Sequence, residues 1–166
     1  ADINGHKVGD VAEQNRARRN GQAGAVTSAQ VDVTDRAQVR AMIAHTVDTF
    51  GRLDVAFNNA GVNRPMNFMD VTEDSWHFIM GVNGLGCMIR IQEAARQMIA
   101  QGTGGKIINT AAIASRQGFD NVAPYCASKF AVVGMSEAMQ GDLAEDNIGV
   151  SVLCPGMVRT RILESE

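Results

Sequence analysis

Tyr125 and Lys129 are the two side chains of this sequence whose types and spacing best fit acid–base chemistry. They stand one helical turn apart, so both would emerge on the same face of a helix. A neutral tyrosine has a pKa of about 10 and is a poor base at pH 7. A neighbouring ammonium group stabilises the phenolate and lowers that pKa. We therefore expect the pair to act as a general base on an alcohol or a general acid on a ketone.

The Tyr–Lys spacing is weak evidence by itself, because a surface tyrosine above a lysine stem produces the same pattern. Its context makes it stronger, since other polar motifs lie at the carboxyl ends of predicted strands or in the helix between them. These motifs are Asn58-Asn59-Ala60-Gly61, Asn83, Tyr125-Cys126-Ala127-Ser128-Lys129 and Pro155-Gly156-Met157-Val158-Arg159-Thr160.

The elements that must position these motifs alternate between strand-like and helix-like segments, which indicates βαβ units around a parallel sheet. The predicted strands are 25–33, 53–57, 106–112 and 148–154, and we expect 53–57 to be buried on both faces. The predicted helices run from Thr34 or Asp35 to Gly51, from Thr72 to about Ala100, and from Pro124 to about Ala144. The pattern is that of an α/β, Rossmann-like doubly wound sheet, whose ligands bind at the carboxyl ends of the strands.

Three glycines interrupt the second of these helices, at Gly81, Gly84 and Gly86. Each glycine costs a helix interior about 1 kcal/mol relative to alanine, so we expect another segment to approach this backbone closely.

The composition excludes several other classes of protein. A net charge of -3 without a basic patch argues against a nucleic-acid or membrane-surface partner. No run of apolar residues is long enough for a transmembrane helix. The three histidines are scattered, which gives no support for a metal site, and the odd number of spaced cysteines favours a reducing cytoplasm.

The motifs, in this order and spacing, resemble those of the short-chain dehydrogenase/reductase family, and the resemblance covers essentially the whole chain. It implies one dinucleotide-binding domain over residues 1–166, and a hydride transfer between a secondary alcohol or ketone and a nicotinamide cofactor. Tyr125 would be the catalytic acid/base, and Lys129 would tune it and bind the nicotinamide ribose. Asn83 would hold a water of the proton relay, although an ordinary buried amide that bonds backbone is the alternative.

The resemblance also implies a set of cofactor-binding residues. They are Asp2, Asp32, Val33, Asn59, Ala60, Gly61, Tyr125, Lys129, Pro155, Gly156, Val158 and Thr160, with Asn58 in the same turn. Asp32 would contact the adenine ring. The alternative is that Asp32 only lies next to the residue that caps the following helix. A carboxylate at Asp2 would accept hydrogen bonds from ribose hydroxyls and repel a 2′-phosphate, which favours NAD, with NADP as the other possibility.

The sequence departs from the family at two places. Ala112 stands where family members place a serine whose hydroxyl binds the substrate oxygen, and neither Thr110 nor Ser115 is a convincing substitute. The glycine-rich turn, the first strand and the first helix would precede residue 1, and the substrate-covering helices would follow residue 166. We therefore expect the sequence to be part of a longer protein, with the strand 25–33 lacking a neighbour.

The main functional hypothesis is an NAD(P)-dependent oxidoreductase of a small alcohol or ketone, with the region around 104–131 most similar to polyol dehydrogenases. The alternative is a catalytically impaired relative or fragment that acts as a cofactor-binding sensor or assembly partner. The helices 72–100 and 124–144 carry more apolar residues than one core-facing stripe requires, so we also expect a homodimer or homotetramer.

Overall fold

Three parallel strands form the sheet of the computed structural model, which describes residues 1–18, 24–158 and 162. The strands are adjacent in chain order: β1 (Val55–Asn58), β2 (Gly105–Thr110) and β3 (Ile148–Leu153). Every connection between them is a crossover through a helix, because parallel neighbours cannot be joined by a hairpin. The α/β architecture predicted from the alternation of segments is confirmed.

One face of the sheet carries the core. The alternating residues Ala56 of β1, Ile107 of β2 and Val150 of β3 are in register and face the helices. On the opposite face, Val55 is 53% exposed and Phe57 is 56% exposed. The prediction that β1 is buried on both faces is therefore wrong, because none of the described elements covers this second face.

The prediction of a strand over residues 25–33 is also wrong. Its only pairing among the described residues is an isolated parallel bridge between Gln30 and Asp2, in which the Val31 N–H donates to the Asp2 carbonyl over 2.9 Å. A strand needs a run of neighbouring backbone groups, and only the few residues before helix α1 (Gly5–Arg18) lie alongside this segment.

Helix α2 (Arg36–Phe50) follows that segment and has the ends that its sequence specifies. The side chain of Asp35 accepts hydrogen bonds from the backbone N–H groups of Ala37 and Gln38, so Asp35 is the N-cap. Gly51 ends the helix in the left-handed region at φ 85°, which glycine adopts without a Cβ clash.

The predicted long helix is observed in three parts: α3 (Glu73–Met80), a π-helical turn (Gly81–Leu85) and α4 (Gly86–Gln101). A Cβ added at Gly86 would lie 3.2 Å from both the Val33 carbonyl oxygen and one of its methyl groups. The expected close approach is therefore confirmed at Gly86. It is absent at Gly81, where a Cβ would meet nothing within 4 Å, and Gly84 has only ordinary contact with a methionine side chain.

Helix α5 (Ala123–Asp142) packs with α4 against the sheet. Pro124 lies in its first turn, where the missing N–H of proline costs nothing. Most apolar residues of the two helices predicted to carry a surplus lie in the core or are partly buried, whereas Leu85 is 50% exposed and Phe130 is 47% exposed.

A buried carboxylate joins α2 to α4. The Glu93 side chain is 4% exposed and pairs with Arg36 and Arg40 from α2 and with Arg96 from its own helix. Hydrogen bonding from Arg40, opposed by burial and reinforced by Arg36 and the other charges, lowers the pKa of Glu93 to about 2.

We predict that Glu93→Gln destabilises the full-length protein by about 2 kcal/mol at pH 7, discounted because the arginine partners are partly exposed. The folded-state pKa lies below the unfolded one, so this contribution is complete above pH 5 and is lost as pH falls toward 2. In urea unfolding, the difference in free energy of unfolding between parent and variant should fall to about half of its pH 7 value by pH 3. Glu137→Gln on the exposed side of α5 is the control, and a gap of constant size would contradict the assignment.

Candidate active site

A cleft of about 850 Å³ opens at the carboxyl edge of the sheet. Its wall combines residues after β1, β2 and β3 with the first turns of α5 and the segment around residue 32, as expected for ligand sites in parallel sheets. The predicted site residues that line it are Asp2, Asp32, Val33, Asn59, Ala60, Gly61, Ala112, Tyr125, Lys129, Pro155, Gly156 and Val158. Thr160 lies outside the described residues.

Tyr125 and Lys129 enter this cleft from one face of α5, as their spacing requires. The Lys129 residue is 3% exposed, and its Nζ donates to the backbone carbonyl oxygen of Thr110 over 2.9 Å. The ammonium group lies 5.5 Å from the centroid of the Tyr125 ring. The end of β2 therefore fixes the lysine beside the tyrosine.

The acidity of the pair differs from the sequence-based expectation. Burial lowers the pKa of Lys129 to about 8. Burial also raises the pKa of the Tyr125 phenol, with a smaller contribution from Cys126. The expected lowering of the tyrosine pKa by Lys129 is wrong in direction, because desolvation of the phenol outweighs an ammonium group that is bonded to Thr110.

Asn83 lies in the π-helical turn and is 1% exposed. Its Oδ1 accepts the Val62 N–H over 2.8 Å, and its Nδ2 donates to the Val62 carbonyl and to the Ser128 hydroxyl, each over 2.9 Å. Both amide hydrogens are thus engaged by protein atoms. These contacts match the alternative of a buried amide that bonds backbone, and the structure uses the side chain to hold the loop after β1 against α5.

The two acidic residues both line the cleft, and their segments lie side by side. Asp32 accepts the backbone N–H and the hydroxyl of Thr34 on one carboxylate oxygen, over 2.8 and 2.7 Å. Asp2 accepts the Asn4 N–H over 2.9 Å. Both carboxylates therefore have a local turn-forming role, and each also borders the cleft.

Ala112 lies beside Tyr125, in a small apolar cluster with Ala114 and Cys126. Ser115 is 3% exposed, its hydroxyl donates to the Ala112 carbonyl over 2.7 Å, and it is not among the residues that line the cleft. Thr110 does border the cleft, but its hydroxyl donates to Asn59 Oδ1 over 3.2 Å. No hydroxyl among the described residues takes the place of the expected serine.

The described residues hold no group of three or more His, Cys, Asp or Glu side chains that could bind a metal ion. Among the helices of the same residues, none has the length and apolar character needed to cross a membrane.

The comparison with known protein families decides the assignment. A family described as short chain dehydrogenase matches residues 1–166. The chain belongs to the short-chain dehydrogenase family. The doubly wound Rossmann-like fold predicted from the sequence is confirmed by solved members of that family.

The chain is 37% identical over 133 residues to a 2-dehydro-3-deoxy-D-gluconate 5-dehydrogenase of Dickeya dadantii, covering 80% of this chain and 53% of that protein. A short-chain dehydrogenase/reductase from Burkholderia phymatum in complex with NAD superposes with a TM-score of 0.89 at 31% identity, over 97% of this chain and 57% of that one. A gluconate 5-dehydrogenase from Burkholderia cenocepacia in complex with NADP and tartrate gives 0.86 at 36% identity, over 98% and 62%. The chain spans about half the length of the curated relatives it matches.

Sequence reasoning about this short-chain dehydrogenase missed the roles of Asn109, Ser136 and Asn63. Asn58, which was predicted to lie in the cofactor turn, donates to Asn109 Oδ1 over 2.8 Å, and Asn109 donates to Ser136 over 2.9 Å. Asn109 is buried near the end of the apolar strand β2, where the strand register brings it beside Asn58 and the packing of α5 brings it beside Ser136. Asn63 was also missed, and it borders the cleft.

Gly61 is the tightest of the cleft glycines. A Cβ at this position would lie 3.2 Å from Asn83 Oδ1 and 3.4 Å from Lys129 Nζ. We predict that Gly61→Ala destabilises the full-length protein by about 1–3 kcal/mol through overpacking and displaces the Lys129 side chain. Gly118→Ala is the matched loop control, since a Cβ there would meet nothing within 4 Å. Equal unfolding midpoints in urea for the two variants would show that the loop yields without cost.

Proposed function

We propose that this chain carries the active centre of an NAD(P)-dependent oxidoreductase that interconverts a small secondary alcohol and its ketone. The observation that carries the proposal is the Tyr125–Lys129 pair, which enters the cleft at the carboxyl edge of the sheet with Lys129 fixed on Thr110. A sensor or scaffold needs a dinucleotide site but has no use for a desolvated phenol beside an ammonium group.

The cleft suits a nicotinamide dinucleotide in its size and in the polar groups on its wall. A volume of about 850 Å³ lies within the usual range of ligand sites. The Asp2 and Asp32 carboxylates suit ribose and adenine donors, whereas Tyr125 and Lys129 suit the reacting alcohol and a ribose hydroxyl. The bound nicotinamide would supply the hydride acceptor or donor.

The chain's own residues would move the proton. With its raised pKa, Tyr125 is protonated at pH 7 and suited to donate to the carbonyl oxygen of a ketone. In the opposite direction its phenolate would accept the alcohol proton, and the Lys129 cation would stabilise that phenolate. Asn83 would act as a positioning residue, since it holds both Val62 and the first turn of α5 in place.

The substrate proposed is a polyhydroxylated one, such as a polyol. The resemblance of the region around 104–131 to polyol dehydrogenases supports it, and so do the names of the two gluconate-type relatives. We also propose a homodimer or homotetramer. Leu85, just before α4, and Phe130, on α5, are exposed and would supply apolar surface for such an interface. The cysteines of this chain are free, which accords with the proposed cytoplasmic location.

Ala112→Ser is the direct test of the catalytic assignment. One preorganised donor to the developing oxyanion contributes about a hundredfold to a thousandfold in rate, so the variant should raise kcat by that order. NAD affinity should change little, because the new bond strengthens as charge develops. Steady-state NADH formation from a panel of polyols measures kcat, with the full-length protein as the parent.

Tyr125→Phe in the Ala112→Ser background should remove the activity again. Ala127→Ser, which adds a hydroxyl on α5 instead of at position 112, is the control and should not raise kcat. If parent and Ala112→Ser turn over equally, the hydroxyl position is misassigned and Thr110→Val becomes the informative variant. If neither oxidises any alcohol while both bind NAD, the sensor or assembly function replaces the enzymatic one.

The proposed preference for NAD depends on Asp2. We predict that Asp2→Asn shifts the ratio of NADP to NAD affinities toward NADP by about three- to tenfold, because a repulsive carboxylate beside the 2′-phosphate is removed. Fluorescence titration of both reduced cofactors measures the ratio. Asp10→Asn, on the exposed side of α1, should leave it unchanged. An unaltered ratio in Asp2→Asn would assign the residue to the turn that it forms with Asn4.

A further inference from the structure

The amide of Asn63 is an unsatisfied polar group on the wall of the cleft. Its Oδ1 is buried and has no hydrogen-bond partner among the described residues. Buried polar atoms are nearly always paired in folded proteins, so an unpaired one in a cleft calls for an explanation. Asn63 lines the cleft, so an amide turned toward the cleft would pair with an occupant that carries a hydrogen-bond donor.

Most of the cleft wall is apolar, and Phe78, Phe119 and Val122 also line it. Its backbone is held on both sides, because Asn83 fixes Val62 and the Met66 N–H donates to the Asn121 carbonyl over 2.8 Å. A polar side chain on a held loop, within a mostly apolar wall, is the arrangement by which ligand sites orient a bound molecule.

The position of Asn63 along the loop limits which part of a ligand it reaches. Gly61 lies against Lys129 Nζ, which is 5.5 Å from the centroid of the Tyr125 ring, so the reacting group at Tyr125 belongs to the same part of the cleft as Gly61. Asn63 follows two residues later, at most about 7 Å further along an extended chain. That offset corresponds to a substituent a few bonds from the reacting carbon.

We propose that Asn63 is a specificity-determining residue that binds a second hydroxyl group of the substrate, next to the one that reacts. A hydroxyl both donates and accepts, and a primary amide does the same, so one hydroxyl pairs with the amide in either orientation. The proposal rests on the proposed oxidoreductase function and narrows its substrates to vicinal diols and polyols.

The test compares 2,3-butanediol with 2-butanol in the full-length protein with NAD, since these alcohols share a carbon skeleton and differ by one hydroxyl. The parent should favour the diol in kcat/KM by tenfold or more. Asn63→Leu keeps the branched shape without the polar atoms, and should cut that preference at least tenfold, mainly through the KM of the diol. The kcat/KM for 2-butanol should stay within twofold.

A second readout separates this role from a structural one. Leucine removes an unpaired buried oxygen, so Asn63→Leu should raise the Tm of the ligand-free protein by about 2–4 °C. Asn15→Leu, at an exposed position of α1, is the matched control and should leave the diol preference unchanged. A lower Tm with parallel losses on both alcohols would identify Asn63 as structural and overturn the proposal.

Three further outcomes would also overturn it. An unchanged diol preference excludes a contact with the second hydroxyl. An equal fall in kcat for both alcohols would place the amide at the reacting oxygen, and a loss of NAD affinity without substrate would assign it to the cofactor.

Failure of the proposed function can be distinguished from failure of the Asn63 proposal. If the function is wrong, the parent oxidises neither alcohol. In that case the Tm of the NAD complex is measured with each alcohol. An upshift by the diol that is lost in Asn63→Leu would still support the contact, and an equal upshift by both alcohols would reject it.

Discussion

The side-chain amide of Asn83 holds together the three segments on which the candidate site depends. It clamps both backbone polar groups of Val62, and it donates to Ser128, whose hydroxyl donates in turn to the Tyr125 carbonyl. The loop after β1, the junction of α3 and α4, and the first two turns of α5 are thereby fixed to one another. Because Asn83 is 1% exposed, loss of any one of its bonds would leave a desolvated polar group without a partner.

The rest of the site follows from that constraint. With the loop held, Gly61 lies against Lys129, and even a methyl group at this position would crowd Asn83 Oδ1. Lys129 is in turn held by the Thr110 carbonyl at the end of β2, so its charge is fixed at the cleft while burial lowers its pKa. The chemistry of the cleft therefore depends on backbone groups as much as on the residues that would touch a substrate.

Much of this could be predicted from the sequence where a local rule applies. Asp35, Gly51, Thr72 and Pro124 end or begin their helices through caps and proline geometry, which act within a few residues. The grouping of the polar motifs at one sheet edge followed from the topology of parallel sheets. The family resemblance gave the remaining positions of the site.

The failures share a different origin, because each depends on what another segment does. Strand-like residues 25–33 form a single bridge since little lies beside them, and Phe57 is exposed since no described element covers it. The spacing of Tyr125 and Lys129 predicted that the lysine charge would lower the tyrosine pKa, but burial of the phenol raises it. Asn63 is informative only through a missing partner, which no sequence pattern records.

The π-helical turn at Gly81–Leu85 has a consequence for how the protein tolerates the gain or loss of single codons. A π turn holds one residue more than the α-helical turn that would replace it. Deletion of one residue there would leave a continuous helix, with each preceding side chain rotated by about 100° relative to α4. Asn83 would then leave Val62 and Ser128, although Gly86 and the core face of α4 stayed in place. Loss of one codon at this turn would therefore preserve the core helix α4 and disrupt the candidate site.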